Sequence, residues 1–407
     1  MSAIATDTTV TLPHDCNQAL GIGTFACDWC AGKLGTPHDS VKHRTVQFFV
    51  DSVLCGLSAL ALQTNAPTVL RDEAHEYPRD GGASCFGSTA RVCPEKAIVA
   101  NASAVREWDS NGTNFGYNPK LGNTAGEFGH NDFYAVPLAA AQVQGLDGAA
   151  ALRGMMLLDE IRGRLAEVFS LKTYKIDHVV HGAIASAATW GAMLGATPEQ
   201  IESAIGMVVA HYIPWRAIRA GKQLSDSKGA SAAISTEVAV LSMQRSMRGF
   251  IGPKDIFRNP EAIWRQFEPT TGDASPFDLV LSHGGDDLRL WACTSNSGYM
   301  STKALVLCKV WLTYSGTTPK YLRIHRPSRR SRSLRTSQHS ESSATQQSVI
   351  QRPGKAQITQ WCTSSRLCCV RLLSKRLKVT TMTGGNRSCS CQLTMAARLL
   401  SMVARVR

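Results

Sequence analysis

The chain's 407 residues, 43 % hydrophobic and 18 % charged, fit one large globular domain or two ordinary ones. The formal net charge of +13 is not evenly spread: residues 288–407 hold 21 lysines and arginines against one acid, Glu341, while residues 1–287 hold 23 bases and 30 acids. The longer part is therefore mildly acidic, so a polyanion-binding role would have to rest on residues 288–407 alone, and no nucleic-acid and no membrane partner is expected.

Residues 1–17 are polar, and a flexible N-terminus is expected there. Cys27-Asp28-Trp29-Cys30 is a single CxxC without a second pair, so packing rather than metal or redox chemistry is expected of it. The six cysteines before residue 288 follow no regular spacing, as reduced thiols in a cytosol-like compartment would. No apolar run approaches the length that spans a bilayer. From 45 to 63 (TVQFFVDSVLCGLSALALQ) apolar residues recur at helical spacing, with small residues that permit close packing. Residues 94–107 start with proline and charged residues and continue as an alanine-rich stripe, the pattern of a helix with its start signal. Residues 108–131 are rich in Gly and Asn and predict a long loop, too long to be idle. Helical pattern returns over 136–151 and 149–169, interrupted at Gly145 and Gly148, then over 182–194, 201–211 and 231–247. Thr197, Pro198 and Gln200 form a capping box with proline in the first turn. Strand alternation is nearly absent. The expected fold is mostly α, an Ala/Gly-rich helical bundle.

Four polar stretches interrupt this bundle: REWDSNGTN at 106–114, AGEFGHND at 125–132, IDHVVHG at 176–182 and PWRAIRAGKQLSDSKGA at 214–230. The last places Arg216, Arg219, Lys222 and Lys228 close together. A tri-anionic substrate needs several cations with hydroxyl and backbone donors, and eliminating water from it needs a base for a C–H proton and an acid for the hydroxyl. Asp, His, Thr, Arg and Lys in these stretches supply that set. The bland readings are a solvated basic face for 214–230 and a capping role for His130. His181, three residues beyond His178, is more often a packed or solvated histidine than a metal ligand, and no third ligand at convincing spacing accompanies the pair, so no metal is expected.

These stretches, in this order, resemble the MmgE/PrpD superfamily, which includes 2-methylcitrate dehydratase and cis-aconitate decarboxylase. WDSNGT, AGEFGHNDFYAVPLAAA, DHVVHGAIASAAT, the Arg/Lys loop and GFIGPKDIFRNPEAIWRQFE carry the resemblance, over about residues 46–287. It implies a helical first domain over 18–287, a smaller α+β second domain, homodimers, and catalysis without an iron–sulfur cluster or other cofactor. By position it implies Asp109 and Thr113 on the family's acidic loop, and His130 as the foremost acid/base candidate. His178 matches the histidine of the dehydratase branch. Arg216, Arg219 and Lys228 match the basic loop that holds substrate carboxylates, with Lys222 a looser counterpart. The implied reaction is dehydration of 2-methylcitrate, a small tricarboxylate, to 2-methyl-cis-aconitate in propionate catabolism. Cis-aconitate decarboxylase or a dicarboxylate epimerase is the alternative within the superfamily, and a non-catalytic basic binding protein the alternative outside it. A cytoplasmic location is expected. The resemblance also admits a mitochondrial one, although MSAIATDTTVTLPHDC lacks arginine and contains acids, unlike a presequence.

After residue 287 acids nearly vanish, helical periodicity is lost, and Trp291, Trp311, Trp361 and seven cysteines appear in a basic stretch, a mixture that a disordered polar tail does not explain. Read in a shifted frame, 292–310 back-translates to MHFKLGLYEHQSAGALQG and 355–365 to GADHSMVYII. Both resemble later segments of the same superfamily. The expectation is that 288–407 is an out-of-frame, disordered tail in place of the α+β second domain, and that the chain as written is nearly inactive.

Overall fold

A computed structural model describes residues 4–5, 8–109, 111–112, 114–116, 118–121, 127–218, 225–285 and 287–288. The contact pattern divides the chain into a unit over Met1–Val310 and a second over Trp311–Arg407. The second unit, and with it the expectation of a disordered tail, lies outside the described residues.

The first unit is mostly helical, as expected. Its helices are α1 (Gln18–Cys30), α2 (Asp39–Ala61), α3 (Asn65–His75), α4 (Pro94–Arg106), α5 (Ala135–Gln144), α6 (Gly148–Val168), α7 (Val179–Met193), α8 (Pro198–His211), α9 (Asp226–Met247) and the short α10 (Ile263–Phe267). Short strands lie at the margins: β1 (Ile4–Ala5), β2 (Thr9–Leu12), β3 (Pro78–Ser84), β4 (Arg91–Val92), β5 (Asn114–Phe115), β6 (Glu127–Phe128) and β7 (Leu279–Ser282). Among the described residues no single helix is long and apolar enough to cross a membrane.

The start and stop signals act as their chemistry requires. Thr197 accepts from the Gln200 amide and Gln200 reaches back to the Thr197 amide, completing the capping box of α8. Gly145 takes a left-handed conformation that ends α5, and the Asp147 side chain caps α6 by accepting from the Ala150 amide at 2.9 Å. Two helices start earlier than their apolar pattern suggests. Helix α2 begins at Asp39, where His38 caps it, and α9 begins at Asp226. The second shift matters, because it moves Lys228 out of the expected loop and into the first turn of a helix.

Helix α7 is the hub. Every residue from Val179 to Ala192 is buried, and the helix packs against α1, α5, α6, α8 and α9. Its run of Ala, Gly and Ser lets neighbours approach on all sides, which is why it lacks a polar face. Gly182 shows the tightness: a Cβ there would lie 2.1 Å from the ring of Phe133.

Residues 9–12, inside the segment expected to be flexible, form β2. It pairs antiparallel with β7 in the register Thr9 to Ser282 and Leu12 to Leu279, and Leu12 is buried. The stretch 108–131, expected as loop, contains β5 and β6, paired Asn114 to Phe128 and Phe115 to Glu127. That pairing joins two of the four polar stretches.

Candidate active site

His130 opens a 3-10 turn, His130–Tyr134, which lies against α2, α4, α5, α6, α7 and α9. Gly129 precedes it at φ 74°, and a Cβ there would sit 2.2 Å from Arg106 Nη1. Only a residue without a side chain fits that bend without moving the arginine. His130 is buried, with the Phe48 ring edge-on at 4.2 Å between centroids and the Tyr134 ring at 5.9 Å. Two bonds from Arg162 hold its backbone, to the carbonyls of Gly129 (3.2 Å) and His130 (3.0 Å).

Asp109 follows the end of α4 in a left-handed conformation, φ 49°, which a short polar residue tolerates better than most. Its carboxylate takes Arg106 Nη2 at 2.9 Å and Lys228 Nζ at 2.8 Å. Arg106 also reaches Asp132 at 2.6 Å. One guanidinium, 3 % exposed, therefore ties the Asp109 loop to the His130 turn, and Lys228 at the start of α9 closes on the same carboxylate.

The charges settle accordingly. Burial opposes the Arg106 cation, but Asp132 and Asp109 outweigh it and raise its pKa above the ordinary value. Burial pushes the Asp132 carboxyl up, against the pull of Arg106, Arg162 and Asn111. With a charged guanidinium 2.6 Å away, we assign Asp132 as the carboxylate. Asp159 differs. Burial lifts it well above the carboxylate range, the Tyr134 hydroxyl donating to it being a smaller, opposite influence.

His178 is the N-cap of α7 and is buried, its Nδ1 3.2 Å from Asp177 Oδ1. Asp177 in turn contributes, as a smaller influence than Asp132 and Asp109, to the field that raises Arg106. The basic stretch is stitched to the His178 segment: Asp177 N donates to the Pro214 carbonyl and Arg216 N to the Lys175 carbonyl, both at 2.8 Å. Arg216 is half-buried. Thr113, Arg219 and Lys222 lie outside the described residues.

Several site-forming residues did not stand out in the sequence. Asp51, in the apolar face of α2, accepts from Gly112 N (2.8 Å) and Asn131 Nδ2 (3.0 Å). Asn111 donates to Asn131 Oδ1 at 2.8 Å and to Asp132. Glu127 meets His181 Nδ1 at 3.2 Å and Arg162 Nη2 at 3.8 Å. His181 is fully buried, the packed histidine that was expected, though paired to a carboxylate. For Asp51 the signal was a charge inside an otherwise apolar run, FFVDSVL; Asn111 and Glu127 lie inside two of the polar stretches, and Arg162 is one of four charges in LLDEIRGRL and has no such signal.

The CxxC pair is packing. Cys27 Sγ donates to the Ala196 carbonyl at 3.3 Å, and burial pushes the Cys30 thiol up to about 12, away from the reactive thiolate. Among the described residues no group of three or more His, Cys, Asp and Glu is placed to hold a metal ion.

The arrangement offers a buried imidazole, a carboxylate shared by two cations, and a lysine at the rim that is 28 % exposed. An anion displacing Asp109 from Lys228 would meet a partly exposed cation. In comparison with known families, residues 26–273 match the MmgE/PrpD N-terminal domain. The matched span contains every candidate residue from Asp109 to Lys228.

Proposed function

The chain belongs to the MmgE/PrpD superfamily of dehydratase- and lyase-like enzymes, and from that premise we propose that its site dehydrates 2-methylcitrate to 2-methyl-cis-aconitate. The observation that carries this reading is the meeting of Lys228, Asp109, Arg106 and the His130 turn in one connected cluster. In the reaction a base takes the proton from the carbon beside the carbinol carbon. The C–H electron pair becomes the new C=C bond, the C–O bond breaks, and the hydroxyl leaves as water with a proton from an acid. His130 is the acid or base, Asp109 orients it through the 109–112 loop and Arg106, and His178 is the second proton carrier. Thr113, Arg216, Arg219, Lys222 and Lys228 receive the carboxylates. A second copy of the chain completes a homodimer.

We further propose that the chain after residue 287 is read in a shifted frame, and that activity is low as a result. Without a covering domain the substrate charges stay hydrated and each exposed ion pair contributes little. Losing one preorganised donor costs about a hundred-fold in rate. The test assays dehydration of 2-methylcitrate by the chain as written, by one with the frame restored after Asp287, and by the restored chain carrying His130→Gln. Activity in the restored chain alone, lost with His130→Gln, supports the reading. Equal activity in the written and restored chains refutes the frame proposal, and inactivity of both refutes the substrate.

A further inference from the structure

We propose that Asp51 is a positioning residue of this site, its carboxylate on α2 clamping the Asp109 loop and the His130 turn together. Asp51 is 2 % exposed in an otherwise apolar stretch. A carboxylate in such a place is destabilising unless donors meet it. Among the described residues two do, one from each site segment: Oδ2 accepts from the Gly112 amide at 2.8 Å and from Asn131 Nδ2 at 3.0 Å. Gly112 lies three residues beyond Asp109, and Asn131 directly follows His130.

Neighbouring bonds hold the same junction. Asn131 Nδ2 also donates to the Phe48 carbonyl at 3.0 Å, and Ser52 Oγ donates to the Asn131 carbonyl at 3.2 Å. Helix α2 thus grips the His130 turn through Phe48, Asp51 and Ser52, which lie within little more than one helical turn. The two segments touch where Asp51 binds them: at Gly112, φ 66°, a Cβ would lie 2.5 Å from Asn131 Oδ1 and 3.0 Å from His130 Nδ1. Asp51 need not reach a substrate to matter. An imidazole and a carboxylate misplaced by about 1 Å lose roughly a hundred-fold in rate, and one oxygen here sets the spacing of the two segments that carry them. The catalytic part of this inference rests on the proposed function; the clamp itself rests on geometry alone.

The test is hydrogen exchange on the full chain, followed in peptides covering 107–116 and 127–135, for Asp51→Leu and Asp51→Asn. Leucine removes the acceptor, and exchange should quicken about tenfold or more in both windows while α7 and α8 keep their protection. Asparagine retains one acceptor oxygen and should restore most of the protection. If Asp51→Leu does not fold, Asp51→Ser, too short to reach both donors, takes its place. Unchanged exchange in either window, a rise of equal size throughout the domain, or equal loosening by leucine and asparagine overturns the clamp. Adding 2-methylcitrate to the chain with its frame restored after Asp287 separates the two readings. Loosening in Asp51→Leu with no protection by 2-methylcitrate leaves the clamp standing and removes the substrate.

Discussion

Replacing Arg106 with methionine keeps the volume of the stem and removes the one cation among the described residues that touches both Asp109 and Asp132. Asp132 is fully buried, so the change leaves a carboxylate in a dry site with the more distant Arg162 and the amide of Asn111. Removing one partner of a buried pair costs about 3–5 kcal/mol. In a protein of this size each kcal/mol moves the melting temperature by about 2–4 °C, so Arg106→Met should melt roughly 6–20 °C lower. The pH dependence has a definite sign. Burial already raises Asp132, and without Arg106 it rises further above its unfolded value. The native state of the variant then binds more protons than the unfolded state, and its stability falls as pH rises through the folded pKa. The deficit should be largest at pH 8 and shrink towards pH 5. Urea unfolding followed by circular dichroism at several pH values measures it. Adding Asp132→Asn should recover about 1–3 kcal/mol, because no charge is then left unpaired. A loss under about 1 kcal/mol, or one independent of pH, would refute the assignment of a buried charged pair.

Gly129→Ala should cost about 1–3 kcal/mol in urea unfolding, because φ 74° and a Cβ 2.2 Å from Arg106 Nη1 both oppose a side chain; a neutral substitution would mean that the bend relaxes freely. Asp159→Asn removes a group whose folded pKa lies well above its unfolded one. The stability that protonated Asp159 contributes is lost as pH rises through that folded value, so the variant should gain on the unaltered chain between pH 5 and 9, and a melting-temperature difference running the other way contradicts this. Native-state alkylation read by mass spectrometry should spare Cys30 and Cys85, whose thiols burial pushes up to about 12 and about 11. Both should react once the chain is unfolded, whereas rapid native labelling of Cys30 would revive a redox reading of the CxxC.

The helical fold was legible where the signals are local. Thr197 with Gln200, Pro94 at a helix start, and Gly145 before Asp147 each state their geometry within four residues, and the helices begin and end there. Helix α1 was harder to see because its 13 residues, QALGIGTFACDWC, are apolar on nearly every face, so periodicity has little to register. Strand β2 was hidden for a different reason. Its four residues TVTL gain a reason to be extended only from β7, about 270 positions later, and no local pattern encodes that partner. The early start of α9 was masked in the same way, since Asp226-Ser227-Lys228 reads as a polar loop until Ser225 is seen to precede a helix.

The candidate site was legible in its residue types more than in their pairings. The four polar stretches were identifiable because polar groups with no core to serve stand out in an apolar bundle; Asp109, His130, His178 and Lys228 within them followed only from the family resemblance, and their partners come from tertiary packing. Lys228 illustrates the difference. As the third residue of α9 it sits at the positive end of the helix dipole, where a cation is disfavoured by about 0.3–1 kcal/mol. Stability alone would choose an acid there, as Asp226 in the same turn shows. The structure offsets that cost with the Asp109 carboxylate at 2.8 Å, and the pair remains partly open to solvent, where such a bridge contributes little net stability. A lysine whose own helix disfavours it, held by a carboxylate that an incoming one can replace, is poorly explained as a stabilising feature. On the function proposed above, it is half of an anion site, with Asp109 occupying the other half until a substrate carboxylate arrives.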